Sequence, residues 1–308
     1  MSGRTSSEVG GVGDYDPAKD SRDGYEVGIT EIRRRKIAAG EIVPWVRREA
    51  IGDATLYLGD ALEVLPTLDG ADHIIGDPPY EDELHGAFGR KIQRNDGAHM
   101  PRSVNMLKPI EFAGINGARS ETASACVRAS AGWVILFTLA EGVRAWRDEI
   151  QAAGGKWDTT CFWVKPDASP RFNGQGPARG AECFVTAWAG RGYRRWNGGG
   201  KRGIYTHCVN TGRQGEHPTE KPVPLMREIV ADFTRPGETI CDPFLGSGTT
   251  GVACLQLGRR FIGIEQNPKW FDLACRRLYE AARSPDLFIE QAKRDKVATV
   301  DLFAESTP

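Results

Sequence analysis

The sequence predicts an α/β chain built on a mostly parallel sheet whose strands run in a circularly permuted order. Three observations carry that expectation. "ADHIIG" is an apolar run of strand length that stops at Asp77-Pro78-Pro79-Tyr80, and paired prolines forbid its continuation as helix or central strand. "TICDPFLGSGTTGVACLQLGRRFIGIEQNP" (239–268) reads as strand, Gly-rich turn, helix and strand. Too little chain follows Glu265 to complete a sheet, only one helix ("PKWFDLACRRLYEAA") and a tail. The missing strands must therefore come from the N-terminal side.

Composition sets the bounds. The chain has 308 residues, of which 40% are hydrophobic and 26% charged, enough to bury a full α/β core. A net charge of −1 means that any nucleic-acid surface must be local. No apolar run has the length of a membrane span, and no signal-type apolar region stands at the N-terminus. The expectation is a cytoplasmic chain with no membrane partner. Seven dispersed cysteines with no CxxC pair point to a reduced compartment and to no metal site.

The elements follow in order. Residues 1–24 are rich in Gly, Ser, Asp and Lys and lack apolar periodicity, so 1–50 is assigned as a flexible arm. Within it, "ITEIRRRKIAAGEIV" reads as a short helix whose basic cluster, Arg33 to Lys36, forms a solvated face. Ordered structure is expected to begin at "ATLYLGDALEVLPTL", a strand, a turn at Asp60 and a short helix that Asp60 would cap. The polar, Gly-containing stretch 81–125 reads as a long functional loop. "GWVILFT" is a buried strand and "AEGVRAWRDEIQAAGG" an amphipathic helix closed by Gly154 and Gly155. "WDTTCFWV" and "ECFVTAWAG" are two further strands. "HPTEKPVPLMREIVADFTRPGE" holds a helix with prolines in its first turn and Pro236-Gly237 at its end.

Four stretches carry chemistry. Asp77 stands at the C-terminal end of a strand, the edge where open α/β sheets bind ligands. Its carboxylate and a prolyl carbonyl are acceptors. Beside the Tyr80 ring they suit an amine on a flat, stacked base. The leader Thr219-Glu220-Lys221 precedes a helix N-terminus, which with the lysine favours a ligand carboxylate. The turn from Gly246 to Gly251, with Glu265 about 20 residues on, suits a nucleoside whose ribose hydroxyls Glu265 accepts. A nicotinamide cofactor is disfavoured there, because Asp242-Pro243-Phe244 brings negative charge where a pyrophosphate would lie. Between Arg171 and Arg213 there are seven Arg and one Lys against a single acid, Glu182, with aromatics interleaved. That mixture suits phosphates and bases, and Arg171, Arg179, Arg194, Arg195, Lys201 and Arg202 are the expected nucleic-acid contacts.

In combination, the early DPPY, the basic middle, HPTEKP and the late DPFLGSGTT resemble the amino-methyltransferases of DNA, in their permuted β subgroup. The likeness spans roughly residues 54–283. It implies a Rossmann-like class I methyltransferase fold, a seven-stranded sheet with one antiparallel strand flanked by helices. It assigns the flipped base to Asp77, Pro78, Pro79 and Tyr80. It also implies that S-adenosylmethionine is held by Asp60, Thr219, Lys221, Asp242, Phe244, Gly246, Gly248 and Glu265. In that assignment Glu265 takes the ribose, Asp60 the adenine amino group, and Thr219 and Lys221 the methionine end, with Asp242 nearby. The implied target is N6 of adenine in double-stranded DNA. Asp at the first motif position is usual among adenine enzymes and Ser among cytosine-N4 enzymes, with exceptions both ways. Cytosine N4, an RNA substrate and a non-catalytic DNA-binding role are the alternatives. A second copy of the chain and a restriction endonuclease are compatible partners. The catalytic domain is expected over 51–283, with target recognition in 81–125 and 189–216 and a tail over 284–308.

Overall fold

The fold is described from a computed structural model, which covers residues 25–79, 115–170, 175–209 and 220–283. Tyr80, Arg171, Thr219, most of the 81–125 stretch, 210–216 and the tail lie outside the described residues. The chain divides into two units, Met1–Val43 and Pro44–Pro308. In the first, helix α1 (Tyr25–Ala38) carries the expected basic cluster, and Arg35 meets Glu31 one turn earlier at 3.1 Å in full solvent.

Among the described residues, the second unit is a single sheet of nine strands: β1 (Trp45–Ile51), β2 (Ala54–Gly59), β3 (His73–Gly76), β4 (Trp133–Thr138), β5 (Lys156–Val164), β6 (Ala181–Trp188), β7 (Ile204–Thr206), β8 (Thr239–Asp242) and β9 (Arg260–Glu265). They lie in the order β1-β2-β9-β8-β3-β4-β6-β5-β7. From β2 to β4 every pairing is parallel, and β6 is inserted antiparallel between β4 and β5. That is the expected permuted sheet with one reversed strand. Two edge strands extend it, β1 antiparallel on β2 and β7 parallel to β5.

Neither edge strand was legible in the sequence. "WVRREAI" falls in the segment assigned to the arm, which is therefore cut short at its C-terminal end. Its polar alternation reflects pairing on one side only, with charges guarding the open edge. Arg47 reaches Glu49 and Asp272, each at 2.7 Å.

Period-two alternation sorts the sheet residues to two faces. On β4, Trp133, Ile135 and Phe137 enter one core with Ile75 of β3, while Val134 and Leu136 enter the other with Ile74. The first core is covered by α5 (Val223–Phe233), α6 (Thr249–Gln256) and α7 (Pro268–Arg283), the second by α2 (Ala61–Val64), α3 (Arg119–Ala129) and α4 (Val143–Ala152). Helix α3 lies at the end of the stretch read as a long loop. Its buried side chains are small, Thr122, Ala123, Ala125 and Cys126, so it shows little apolar periodicity. Trp146 and Phe271 anchor the two layers, both essentially inaccessible, and burial of each such ring stabilises the fold by about 1.5–3 kcal/mol.

The third glycine of the turn fixes how closely helix and sheet approach. A Cβ on Gly251 would stand 2.6 Å from the Phe261 ring of β9 and 2.9 Å from Leu278 of α7. Gly251→Ala should gain about 1 kcal/mol of helix propensity and lose more than that to overpacking, about 1–3 kcal/mol. The expected outcome is a lower urea midpoint; a raised one would show that the layers can part at no cost.

Candidate active site

Because β2, β9, β8 and β3 are parallel, their C-terminal ends deliver Asp60, Glu265, Asp242 and Asp77 to one edge. Chain connections leave the sheet in opposite directions on either side of the β8–β3 pair, and such a switch point opens a crevice. A cavity of about 320 Å³ lies there, reaching Asp60, Asp77, Pro79, Lys221, Phe244 and Glu265.

The Gly-rich turn is held by carboxylates of the sheet. Asp242 accepts from the Phe244 N–H at 2.9 Å and from the Thr250 hydroxyl at 2.7 Å. Burial pushes its carboxyl up to about 7, against the pull of those two hydrogen bonds. Glu265 accepts from Gly246 N–H and Asn267 N–H, both at 2.8 Å. Burial raises its carboxyl, and backbone N–H groups oppose the rise. Gly246 (φ 50°) and Gly248 (φ 79°) adopt the left-handed conformation, which costs a glycine nothing. Asp60 caps α2 by accepting from Leu62 N–H at 2.8 Å while remaining exposed at the cavity wall. Its capping and lining roles coexist.

Asp77 leaves β3 with its two oxygens in different situations. Oδ2 accepts from Lys221 Nζ at 2.5 Å, whereas Oδ1 is shielded from solvent and has no partner among the described residues. A buried acceptor left open costs about 1–3 kcal/mol, which makes Oδ1 a candidate partner for a ligand donor. Burial raises the Asp77 carboxyl, and Lys221 opposes that rise. Pro78 is buried behind it and, with Pro79, lines the cavity. The leader before α5 is tied at two points. Lys221 goes to Asp77, and Glu220 receives Arg277 of α7 at 2.5 Å. Arg277 in turn donates to Ser247 C=O at 2.7 Å, so a single buried guanidinium joins the leader to the Gly-rich turn.

After Trp188 the basic segment lies away from the crevice. β6 runs against its neighbours, so the chain after Trp188 emerges at the sheet edge opposite Asp77. There Arg194 donates to Asp158 at 2.5 Å and to Trp157 C=O at 2.8 Å, and Arg195 meets Glu238 at 3.1 Å. Lys201 is shared between Glu228 (2.6 Å) and Asp232 (2.5 Å) of α5. Two of its aromatics are packing groups, Trp196 stacking edgewise on Phe233 and Tyr205 buried with its hydroxyl on Asp232, whereas Tyr193 is exposed. Arg194, Arg195 and Lys201 are thus exposed, acid-paired cations on the edge away from the crevice. Arg202 is exposed. Arg179, also exposed, remains on the crevice side, in the β5–β6 connection near Glu141 (3.9 Å).

Sequence reasoning missed Glu220, Arg277, Lys165 and Glu182. The last two stand at the end of β5 and the start of β6, which antiparallel pairing brings to the same edge as Asp77. Glu182 lies 3.4 Å from Lys221 Nζ and also receives Lys165. Glu182 was visible only as the lone acid in a basic run.

Known proteins resemble this chain in sequence and in fold. The family described as DNA methylase matches residues 71–276. The type II methyltransferase M.Cfr9I of Citrobacter freundii is 36% identical over 284 residues, covering 89% of this chain and 79% of that one. Among solved structures, M1.HpyAVI in its complex with SAM superposes with a TM-score of 0.56 at 24% identity, over 73% of this chain and 98% of that one. The PvuII DNA methyltransferase, titled cytosine-N4-specific, gives 0.55 at 14% identity, over 76% and 89%. Both structures share the fold.

Glu265 has both oxygens committed to backbone N–H groups before any ligand arrives. Glu265→Gln should leave one N–H facing an amide NH2 and lower the unfolding free energy of the ligand-free protein by about 1–3 kcal/mol. Urea denaturation reads this directly; an unchanged midpoint would mean that the turn stands without the carboxylate.

Proposed function

Since the chain belongs to the DNA methylase family of S-adenosylmethionine-dependent amino-methyltransferases, we propose that it methylates N6 of an adenine flipped out of double-stranded DNA. The observation that carries this reading is Asp77 Oδ1, a shielded, unpartnered acceptor at the rim of the crevice. An exocyclic amine brings the missing donor.

The cavity suits the cofactor on its own terms. Asp60, Asp242 and Glu265 present carboxylates along its wall, matching hydroxyl, amino and cationic groups. When bound, S-adenosylmethionine supplies an electrophilic sulfonium methyl. The protein's part is positioning and electrostatics. Asp77 Oδ1 and the Pro78 carbonyl accept the two N–H groups of the amine, which favours a pyramidal nitrogen with its lone pair toward the methyl. That nitrogen would take the methyl from the bound cofactor, which keeps the S–C electron pair on sulfur. The nitrogen then gives up one proton, for which ionised Asp77 is the acceptor at hand. Lys221 keeps that carboxylate oriented from the Oδ2 side.

A base paired in the duplex hides its amine, so it must leave the stack, and the reading gives Tyr80 the stacking role. DNA approaches the crevice edge, where Arg179 is the described cation of the expected set. Adenine is preferred because a carboxylate stands at position 77, as is usual among the adenine enzymes of the family that this chain resembles.

The test is transfer from labelled cofactor to unmethylated duplex DNA, followed by mass spectrometry of the nucleosides. N6-methyladenine is the expected product. N4-methylcytosine alone would overturn the adenine assignment, and methyl transfer to RNA alone would overturn the DNA reading. Asp77→Asn should lower turnover at least about 10²-fold with cofactor still bound.

A pH dependence follows from Asp242. Its raised carboxyl makes the ligand-free fold most stable below the ordinary carboxylate range, and that stability is lost as pH rises through about 7. A cationic cofactor favours the ionised form. Affinity should therefore climb between about pH 5 and 7, with up to one proton released per cofactor bound in that range, and level off above it, where none is released. Calorimetry in buffers of different ionisation enthalpy measures that proton, and a pH-independent affinity would place the cofactor's charge away from Asp242.

A further inference from the structure

Four charged groups of alternating sign line up along the crevice edge: Lys165, Glu182, Lys221 and Asp77. They come from the end of β5, the start of β6, the leader before α5 and the end of β3. Lys165 Nζ meets Glu182 Oε1, Glu182 Oε2 lies 3.4 Å from Lys221 Nζ, and Lys221 Nζ lies 2.5 Å from Asp77 Oδ2. The Lys221 ammonium also stands 4.9 Å from the centre of the Phe137 ring, so ring and carboxylates fix it from separate sides. An ammonium with three donors and a single carboxylate could span both oxygens. A second carboxylate draws it toward one of them.

We propose that Glu182 and Lys165 are positioning residues for Asp77: they hold Lys221 between two carboxylates, so that Oδ2 is spent on the lysine and Oδ1 stays open for the target amine. The inference rests on the function proposed above and deepens it. Neither residue touches the amine. Glu182 acts through Lys221, and Lys165 acts by fixing Glu182 through its other oxygen. Lys165 is itself only slightly exposed and lies 4.3 Å from the centre of the Trp163 ring, which suits a structural counter-charge more than a phosphate contact.

The groups facing Asp77 are Lys221 from the leader, Glu182 from β6, Lys165 after β5 and Asp242 from β8. Removing a negative neighbour lets Asp77 ionise at lower pH, and removing a positive one delays it. Turnover needs the ionised carboxylate and rises with pH through its titration. Glu182→Gln should therefore move the acid limb of the rate profile down by roughly 0.5–1 unit, and Lys165→Met should move it up by a similar amount. Lys165→Arg should restore the parent profile. Plateau turnover should fall about tenfold in both charge-removing variants, with cofactor KM unchanged.

The titration is also read without turnover, by carbon-13 NMR of aspartate carboxyls in the full-length, cofactor-free protein, with the Asp77 resonance assigned by its loss in Asp77→Asn. Opposite displacements in the two variants support the proposal, whereas generic misfolding would move both alike. Unchanged titrations, or displacements of the same sign, overturn it whether or not methyl transfer occurs. Opposite displacements in a protein that transfers no methyl would instead sink the functional reading and leave the charge array standing.

Discussion

The Asp77–Lys221 ion pair is the contact on which the rest of the site depends. It joins the end of a central strand to a leader more than a hundred residues further along the chain, across the crevice where the sheet changes direction. A partly buried pair of this kind gives little net stability. Its value is geometric, because it commits one carboxylate oxygen and leaves the other without a partner among the described residues. Breaking the pair would leave an uncompensated charge in a shielded place, which is why both partners need further support.

That support comes from two sides. Through Glu220, the leader reaches Arg277, which holds the carbonyl of Ser247 in the Gly-rich turn. Through Lys221, it reaches Glu182 and Lys165 at the reversed strand. The wall where the cofactor is read to lie and the carboxylate proposed to accept the target amine are thus mechanically linked through a few residues. Glu265 belongs to the same economy: it ties the turn to β9 and lines the cavity with the same carboxylate. A site assembled this way is rigid before ligands arrive, and preorganisation of that kind is what direct methyl transfer requires.

Charge count and charge pairing diverge in the basic stretch. The run from 171 to 213 is strongly basic by count, yet its central cations are spent on Asp158, Glu238, Glu228 and Asp232. A local excess of Arg in sequence says nothing about acids that arrive from other strands and helices. The antiparallel direction of β6 decides the matter, because it carries the chain to the edge away from the crevice. Among the described residues of the run, Arg179 stands on the crevice side.

By itself the sequence determined the strand ends and what stands on them. Paired prolines stop β3 at Asp77, glycines of positive φ shape the turn after β8, and apolar alternation assigns β4 to two cores. These are local, steric consequences of residue type, and they also carried the family likeness. Tertiary structure alone decided which distant charges meet. Lys165, Glu182 and Arg277 are unremarkable in sequence and become part of the site only through antiparallel register and helix packing. The edge strand Trp45–Ile51 and helix Arg119–Ala129 were hidden for a related reason. One is stabilised mainly by pairing with a neighbour and the other buries only small side chains, so neither writes a strong hydrophobic period into the chain.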